Sequence, residues 1–247
     1  MFERSFDVTT ADGMADVEFY APKETGQYPG IILYIDAMGV RDAFREMARK
    51  FADEGFAVLL PNLYYRDSRV PYTDHDLNIA DDKDKVIIQK MMGRLTPDVV
   101  RRDAPHWVAA LAEQKQTKPG KMGVVGYCMS GSMALRTAVL APDKIAAAAS
   151  FHGSRLVTDD PESPHNLAPK LLKTELYFGF AVEDQTVPPE AIEKLRATLD
   201  NAGVRYDSDV YEGAKHGWCV RDHRMYNAPQ AEVARKRVVM LFKDAVR

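Results

Sequence analysis

The sequence predicts an α/β protein: a mostly parallel central sheet with an antiparallel N-terminal edge and helices on both faces. Two early stretches alternate apolar and polar residues, and five later runs are continuously apolar. Helical periodicity fills most of the gaps between those runs. A strand with one wet face alternates; a strand covered on both faces has no polar side to show, and that is the mark of a parallel sheet under helices.

The alternating stretches come first. "RSFDVTT" and "MADVEFYAP" read as an antiparallel pair turning around Asp12-Gly13. The continuous runs follow as "GIILYI", "FAVLLP", "MGVVGY", "IAAAASF" and "ELYFGFAV". Tyr206 to Tyr211 alternates again and gives way to a glycine-rich loop. Helices are expected over Arg41 to Glu54, Pro97 to Gln116, Ser130 to Leu140, Pro188 to Asn201 and Pro229 to Val246. Thr96 before Pro97 supplies an N-cap with proline at the first helical position, and Gly55 and Gly203 stop their helices. Two stretches, residues 62–96 and 152–169, read as long loops. Both follow strands, which places them at the carboxyl edge of the sheet, where open α/β folds bind ligands.

Bulk properties narrow the function by exclusion. The 247 residues suffice for one domain, 1–247, and no linker or repeat divides them. With 46% hydrophobic residues, 28% charged and a formal net charge of -3, the chain has no field suited to nucleic acid or anionic lipid. "MFERSFDVTTADG" lacks the apolar core of a secretory signal, and no run nears the roughly 18 apolar residues of a membrane span. A cytoplasmic protein is expected, acting on a small molecule as a monomer or homodimer, without nucleic acid, membrane or cofactor. The two cysteines, Cys128 and Cys219, are expected to be reduced thiols. His216, Cys219 and Cys128 could be read as a zinc cluster, but Cys128 has no second ligand type on its own helix, so no metal is expected.

Cys128 carries the chemistry. It stands in "GVVGYCMSGSMAL", between a strand and a helix, with Gly126 two residues before it and Ser130-Gly131 after it. A residue on such a turn is pushed clear of the backbone above the positive end of the following helix, which lowers a thiol's pKa. The competing reading, a buried cysteine filling space, fits this setting poorly. A thiol nucleophile needs a base and a group to orient that base. Of six histidines, His216 in "VYEGAKHGW" stands where a strand gives way to a loop, and His152 in "SFHG" also ends a strand. Glu183 and Asp184 both stand where "ELYFGFAV" stops; Asp184 is preferred because Val187 and Pro188 follow at the usual spacing, with Glu183 in reserve.

In that order, "GYCMSG", "EDQTVP" and "GAKHGW" resemble the dienelactone hydrolase family of α/β-hydrolases, and the likeness runs from about Pro29 to Phe242. The resemblance implies Cys128 as nucleophile, His216 as base and later acid, and Asp184 as its partner. It also implies an oxyanion hole from the backbone N–H groups of Met129 and Ala37. Asp36 matches the position of a carboxylate that holds the resting thiol's proton, where the family's usual residue is glutamate. Substrate contacts are expected from Tyr64, Arg66, Tyr127, Trp218 and Arg221, with Arg94 a further possibility; arginine suits a substrate carboxylate because its planar fork pairs bidentately. The function implied is hydrolysis of a lactone or carboxylic ester through an acyl-thioester, of the carboxymethylenebutenolidase type. A general carboxylesterase or thioesterase, a metal-binding protein and a non-catalytic relative using the same scaffold are the alternatives.

Overall fold

A computed structural model describes residues 1–246. The chain divides into two compact units, Met1–Pro119 and Gly120–Arg247.

The first unit opens with β1 (Phe2–Thr10) and β2 (Gly13–Ala21), paired antiparallel from Phe2↔Ala21 to Thr10↔Gly13. The chain reverses through Ala11 and Asp12, one residue earlier than the sequence suggested. β2 pairs antiparallel with β4 (Ala57–Pro61), and β4 pairs parallel with β3 (Gly30–Leu33). β1 is exposed at most positions, whereas β3 and β4 are buried throughout, so alternation and continuous apolarity report edge and interior as expected. α1 (Asp42–Asp53) and α3 (Pro97–Ala112) cover these strands. Thr96 Oγ1 accepts the Val99 N–H and caps α3.

One element in this unit was missed. Residues 82–93, read as part of a charged loop, form α2 (Asp82–Gly93). Asp81 caps it by accepting the Lys83 and Asp84 N–H groups, and Asp82 and Asp84 lie at the positive end of the helix dipole. Only Asp84, Ile88 and Met91 are buried, so the apolar stripe was too narrow for periodicity to report it.

The second unit holds β5 (Met122–Tyr127), β6 (Ile145–Phe151), β7 (Glu175–Glu183) and β8 (Tyr206–Lys215), consecutive neighbours and all parallel. β5 and β6 are buried at every position. α4 (Ser130–Leu140) packs on β5 and β6, and α6 (Ala228–Ala245) packs on β6 through β8. α5 (Pro189–Ala202) lies against a short 3-10 segment, Pro164–Lys170, at the end of the stretch read as a loop. β8 runs four residues beyond Tyr211. A register shift between Ala181 and Glu183 accommodates this, and the extension delivers the chain to His216. Among the described residues, no helix is long and apolar enough to cross a membrane.

Candidate active site

Cys128 stands between β5 and α4 with φ of +57°, in the left-handed region that a non-glycine residue enters at a cost of roughly 1–3 kcal/mol. The surrounding contacts force it there. Cys128 N–H is shared between Phe151 O and His152 Nδ1, each at 3.1 Å, and Cys128 O accepts from Gly131 N–H at 3.1 Å and Ser154 N–H at 2.9 Å. Ser130 ties the turn from inside: its Oγ accepts the Tyr127 N–H at 2.9 Å and donates to Tyr127 O at 3.0 Å. A serine where the motif usually carries glycine therefore holds the turn. The glycines on either side are required by space, since a Cβ on Gly126 would strike the Ser130 carbonyl, and one on Gly131 would strike Ser150 Oγ and the Gly153 backbone.

Three of the residues singled out in the sequence converge. His216 Nδ1 lies 2.7 Å from Asp184 Oδ2, and because a carboxylate only accepts, Nδ1 carries the proton. Cys128 lies near enough to the ring to help raise its pKa. Asp184 is fixed by Thr186, whose N–H and Oγ1 both donate to Oδ1, at 2.9 and 2.7 Å. Thr186 Oγ1 also lies 3.2 Å from His216 Nδ1. Glu183, the reserve acid, pairs instead with Lys215 at 2.9 Å.

Electrostatics follow from these contacts. Burial disfavours the charged His216 ring, but the hydrogen bond to Asp184 and the influence of Cys128 outweigh it and push the pKa up to about 10. Burial likewise opposes the Asp184 charge, and the bonds from His216 and Thr186 overcome it, so the carboxyl sits below the usual carboxylate range.

His152 is the neighbour the sequence pointed to without assigning. It is buried, with φ of +39°, and its ring lies 5.0 Å from that of His216 and 5.1 Å from Trp218. Burial, then the nearby His216 and His223, hold its pKa well below the ordinary histidine value. Thr186 had no signal beyond its place in "EDQTVP".

The remaining candidates make contacts of their own. Both Asp36 oxygens are taken by Arg41, at 2.7 and 2.9 Å, and Oδ1 also accepts Met38 N–H; the carboxylate expected beside the thiol spends its lone pairs in a buried ion pair. The Arg66 guanidinium is bound by Asp12 and Asp103 and lies over the Tyr65 ring, so it is consumed in the scaffold. Tyr64 is buried with its hydroxyl donating to Ala37 O at 2.9 Å. Tyr127 stacks on Phe151, and Trp218 is fully buried among Phe151, His152 and Tyr211, so both rings pack against His152. Arg221 is exposed, and Arg94 pairs with Asp67 at 3.0 Å. Cys219 is buried, and burial raises its pKa well above the ordinary thiol value. Among the described residues, no group of three or more His, Cys, Asp or Glu side chains is arranged to hold a metal ion.

A cysteine on a tight turn after one strand, an aspartate two strands later and a histidine after the last strand, in that chain order, stand on an α/β-hydrolase fold. Solved structures share the fold. One titled "Putative Dienelactone Hydrolase", from Klebsiella pneumoniae, superposes with a TM-score of 0.84 at 20% identity, covering 98% of each chain. A dienelactone hydrolase-like promiscuous phosphotriesterase from metagenomic libraries gives 0.79 at 20% identity, over 100% of this chain and 99% of the other. Among curated relatives, a Synechocystis protein named "Putative carboxymethylenebutenolidase" is 26% identical over 232 residues, 92% of this chain and 90% of its own. The chain belongs to the dienelactone hydrolase family, a family of hydrolases whose model matches residues 16–246.

Proposed function

We propose that the chain acts as a single catalytic domain that hydrolyses a lactone or carboxylic ester through Cys128, His216 and Asp184. The observation that carries this reading is the 2.7 Å hydrogen bond from His216 to Asp184, with Cys128 near the same ring on a left-handed turn before α4.

In this reading the Cys128 sulfur, as thiolate, attacks the carbonyl carbon, and the carbonyl electrons move to oxygen. The Met129 N–H, and by the family resemblance that of Ala37, stabilise the oxyanion. Collapse breaks the C–O bond, His216 gives its proton to the departing alkoxide, and a thioester remains. His216 then takes a proton from water, hydroxide adds to the thioester, and the second collapse releases the acid and returns the thiolate. In a lactone the alkoxide stays tethered to the acyl group. The narrower assignment is carboxymethylenebutenolidase chemistry, opening a dienelactone to maleylacetate in the breakdown of aromatic compounds, by a cytoplasmic monomer or homodimer.

A second reading, a general carboxylesterase or thioesterase, is favoured by one observation: the Arg66 guanidinium already serves two carboxylates of its own chain. A panel of lactones and aryl esters, each with and without a carboxylate, separates the two readings. A preference for carboxylate-bearing lactones supports the narrower assignment, and indifference supports the general esterase. Cys128→Ala should abolish turnover while leaving the thermal transition in place; hydrolysis persisting at the wild-type rate would end both readings.

A further inference from the structure

We propose that His152 is a positioning residue for the nucleophile, a second histidine whose Nδ1 holds the Cys128 N–H while its ring braces that of His216. The inference rests on the reading of Cys128 as nucleophile and deepens it.

The geometry fixes the tautomer. Nδ1 lies 3.1 Å from the Cys128 nitrogen and accepts its N–H, so it presents a lone pair, and the ring proton is on Nε2. Protonating Nδ1 would set two N–H groups against each other across that distance. The bond therefore keeps His152 neutral, leaving His216 as the imidazole that gains and loses the catalytic proton. The groups facing His152 agree with this: His216 and His223 would both repel a charge there.

A residue that only filled space would be better apolar. Nε2 of His152 is buried with no hydrogen-bond partner among the described residues, an unfavourable arrangement that phenylalanine or leucine would avoid. The Nδ1 bond is what this position gains in exchange. Its location also matters, because Cys128 N–H lies within the very residue whose φ of +57° aims the sulfur. His152 is itself pinned, by its N–H donating to Gly179 O at 2.8 Å and by ring contacts with His216 at 5.0 Å, Trp218 at 5.1 Å and Tyr127 at 5.9 Å. A rigid acceptor on one side of the turn and a rigid ring beside the base set the direction of both partners at once.

The test compares His152→Phe, His152→Asn and His152→Gln in the full chain. The readouts are Cys128 alkylation by iodoacetamide, followed by mass spectrometry, kcat and KM on p-nitrophenyl acetate, and Tm. The Asn side-chain carbonyl can occupy the place of Nδ1; that of Gln reaches past it. In His152→Phe, alkylation and kcat should fall about 10²-fold with KM little changed, the loss expected when a remote change misplaces a reacting group by an ångström. His152→Asn should restore both rates to near wild type, and His152→Gln should not. Wild-type rates in His152→Phe would overturn the proposal. So would equal losses in the Asn and Phe variants at native Tm, or equal rates in the Asn and Gln variants if the Phe variant fails to fold. Wild-type turnover in Cys128→Ala would sink the nucleophile reading itself, whereas equal alkylation of Cys128 in wild type and His152→Phe would sink only the role of His152.

Discussion

Asp184 and His216 are joined at 2.7 Å across 32 residues of chain, while Glu183, one residue before Asp184, turns out to Lys215 at 2.9 Å. The two acids leave the same strand end in opposite directions, as consecutive side chains on a strand do. The Asp184 side chain is 2% exposed and the Glu183 side chain 63%, so only the first offers the half-buried imidazole a shielded carboxylate.

Asp184→Asn should lower kcat by about 10³–10⁴-fold, because an amide no longer stabilises the imidazolium and can select the wrong ring tautomer. Glu183→Gln removes an exposed ion pair and should leave kcat within about twofold. Steady-state kinetics on one aryl ester decides the matter, and the reverse ranking would move the acid to Glu183.

The raised pKa of His216, about 10, makes a stability prediction with a definite sign. A ring whose folded pKa exceeds its unfolded value of about 6.5 keeps a proton that the unfolded chain gives up. Its stabilising contribution is whole below about pH 6.5 and is lost as pH rises through about 10. Denaturant melts of wild type and His216→Gln should therefore converge across that window; a gap that widens with pH would contradict the assignment.

Acylation converts the Cys128 sulfur to a thioester, and with that the two influences by which Cys128 raises His216 are lost. The ring should then titrate lower in the acyl-enzyme than in the resting protein. Single-turnover deacylation profiles should show a basic plateau beginning at lower pH than the His216 titration followed by NMR in the free enzyme. Coincident values would show that Asp184 alone sets the pKa.

The two thiols should behave differently toward alkylation. Cys128 is half-buried on its turn near His216, whereas Cys219 is buried and its pKa is raised by burial. The native protein should take up one equivalent of iodoacetamide, at Cys128, and a second only after unfolding. Cys219→Ala should keep full turnover. Peptide mapping reads both outcomes.

Ser130→Ala should destabilise the fold by about 1–2 kcal/mol, since it deletes two buried hydrogen bonds to the Tyr127 backbone. Gly126→Ala should cost more, because its Cβ meets the Ser130 carbonyl, which is backbone and cannot move aside. Chemical denaturation ranks the two, and an unperturbed Gly126→Ala would mean that the turn is looser than drawn.

Much of the fold was legible because burial writes itself into composition. β3 to β6 are buried at every position and read as unbroken apolar runs, while β1, mostly exposed, alternates. α2 was not legible, because only three of its side chains are buried and its Asp81 cap lies in a stretch crowded with aspartates. Cys128 could be found since a turn between strand and helix demands small neighbours, and the chain order of Cys128, Asp184 and His216 is a property of sequence.

The sequence by itself determined the layering of strands and helices and the identity of the groups at three strand ends. Only the tertiary structure decided which partner each side chain takes. It turned Asp184 toward His216 and Glu183 away, bound Asp36 to Arg41, spent Arg66 on Asp12 and Asp103, and set His152 Nδ1 against the Cys128 N–H. The physical reason is one of range. Hydrophobic patterning is a local property, repeated every two or 3.6 residues, whereas a hydrogen bond across tens of residues depends on where the packed core carries each end.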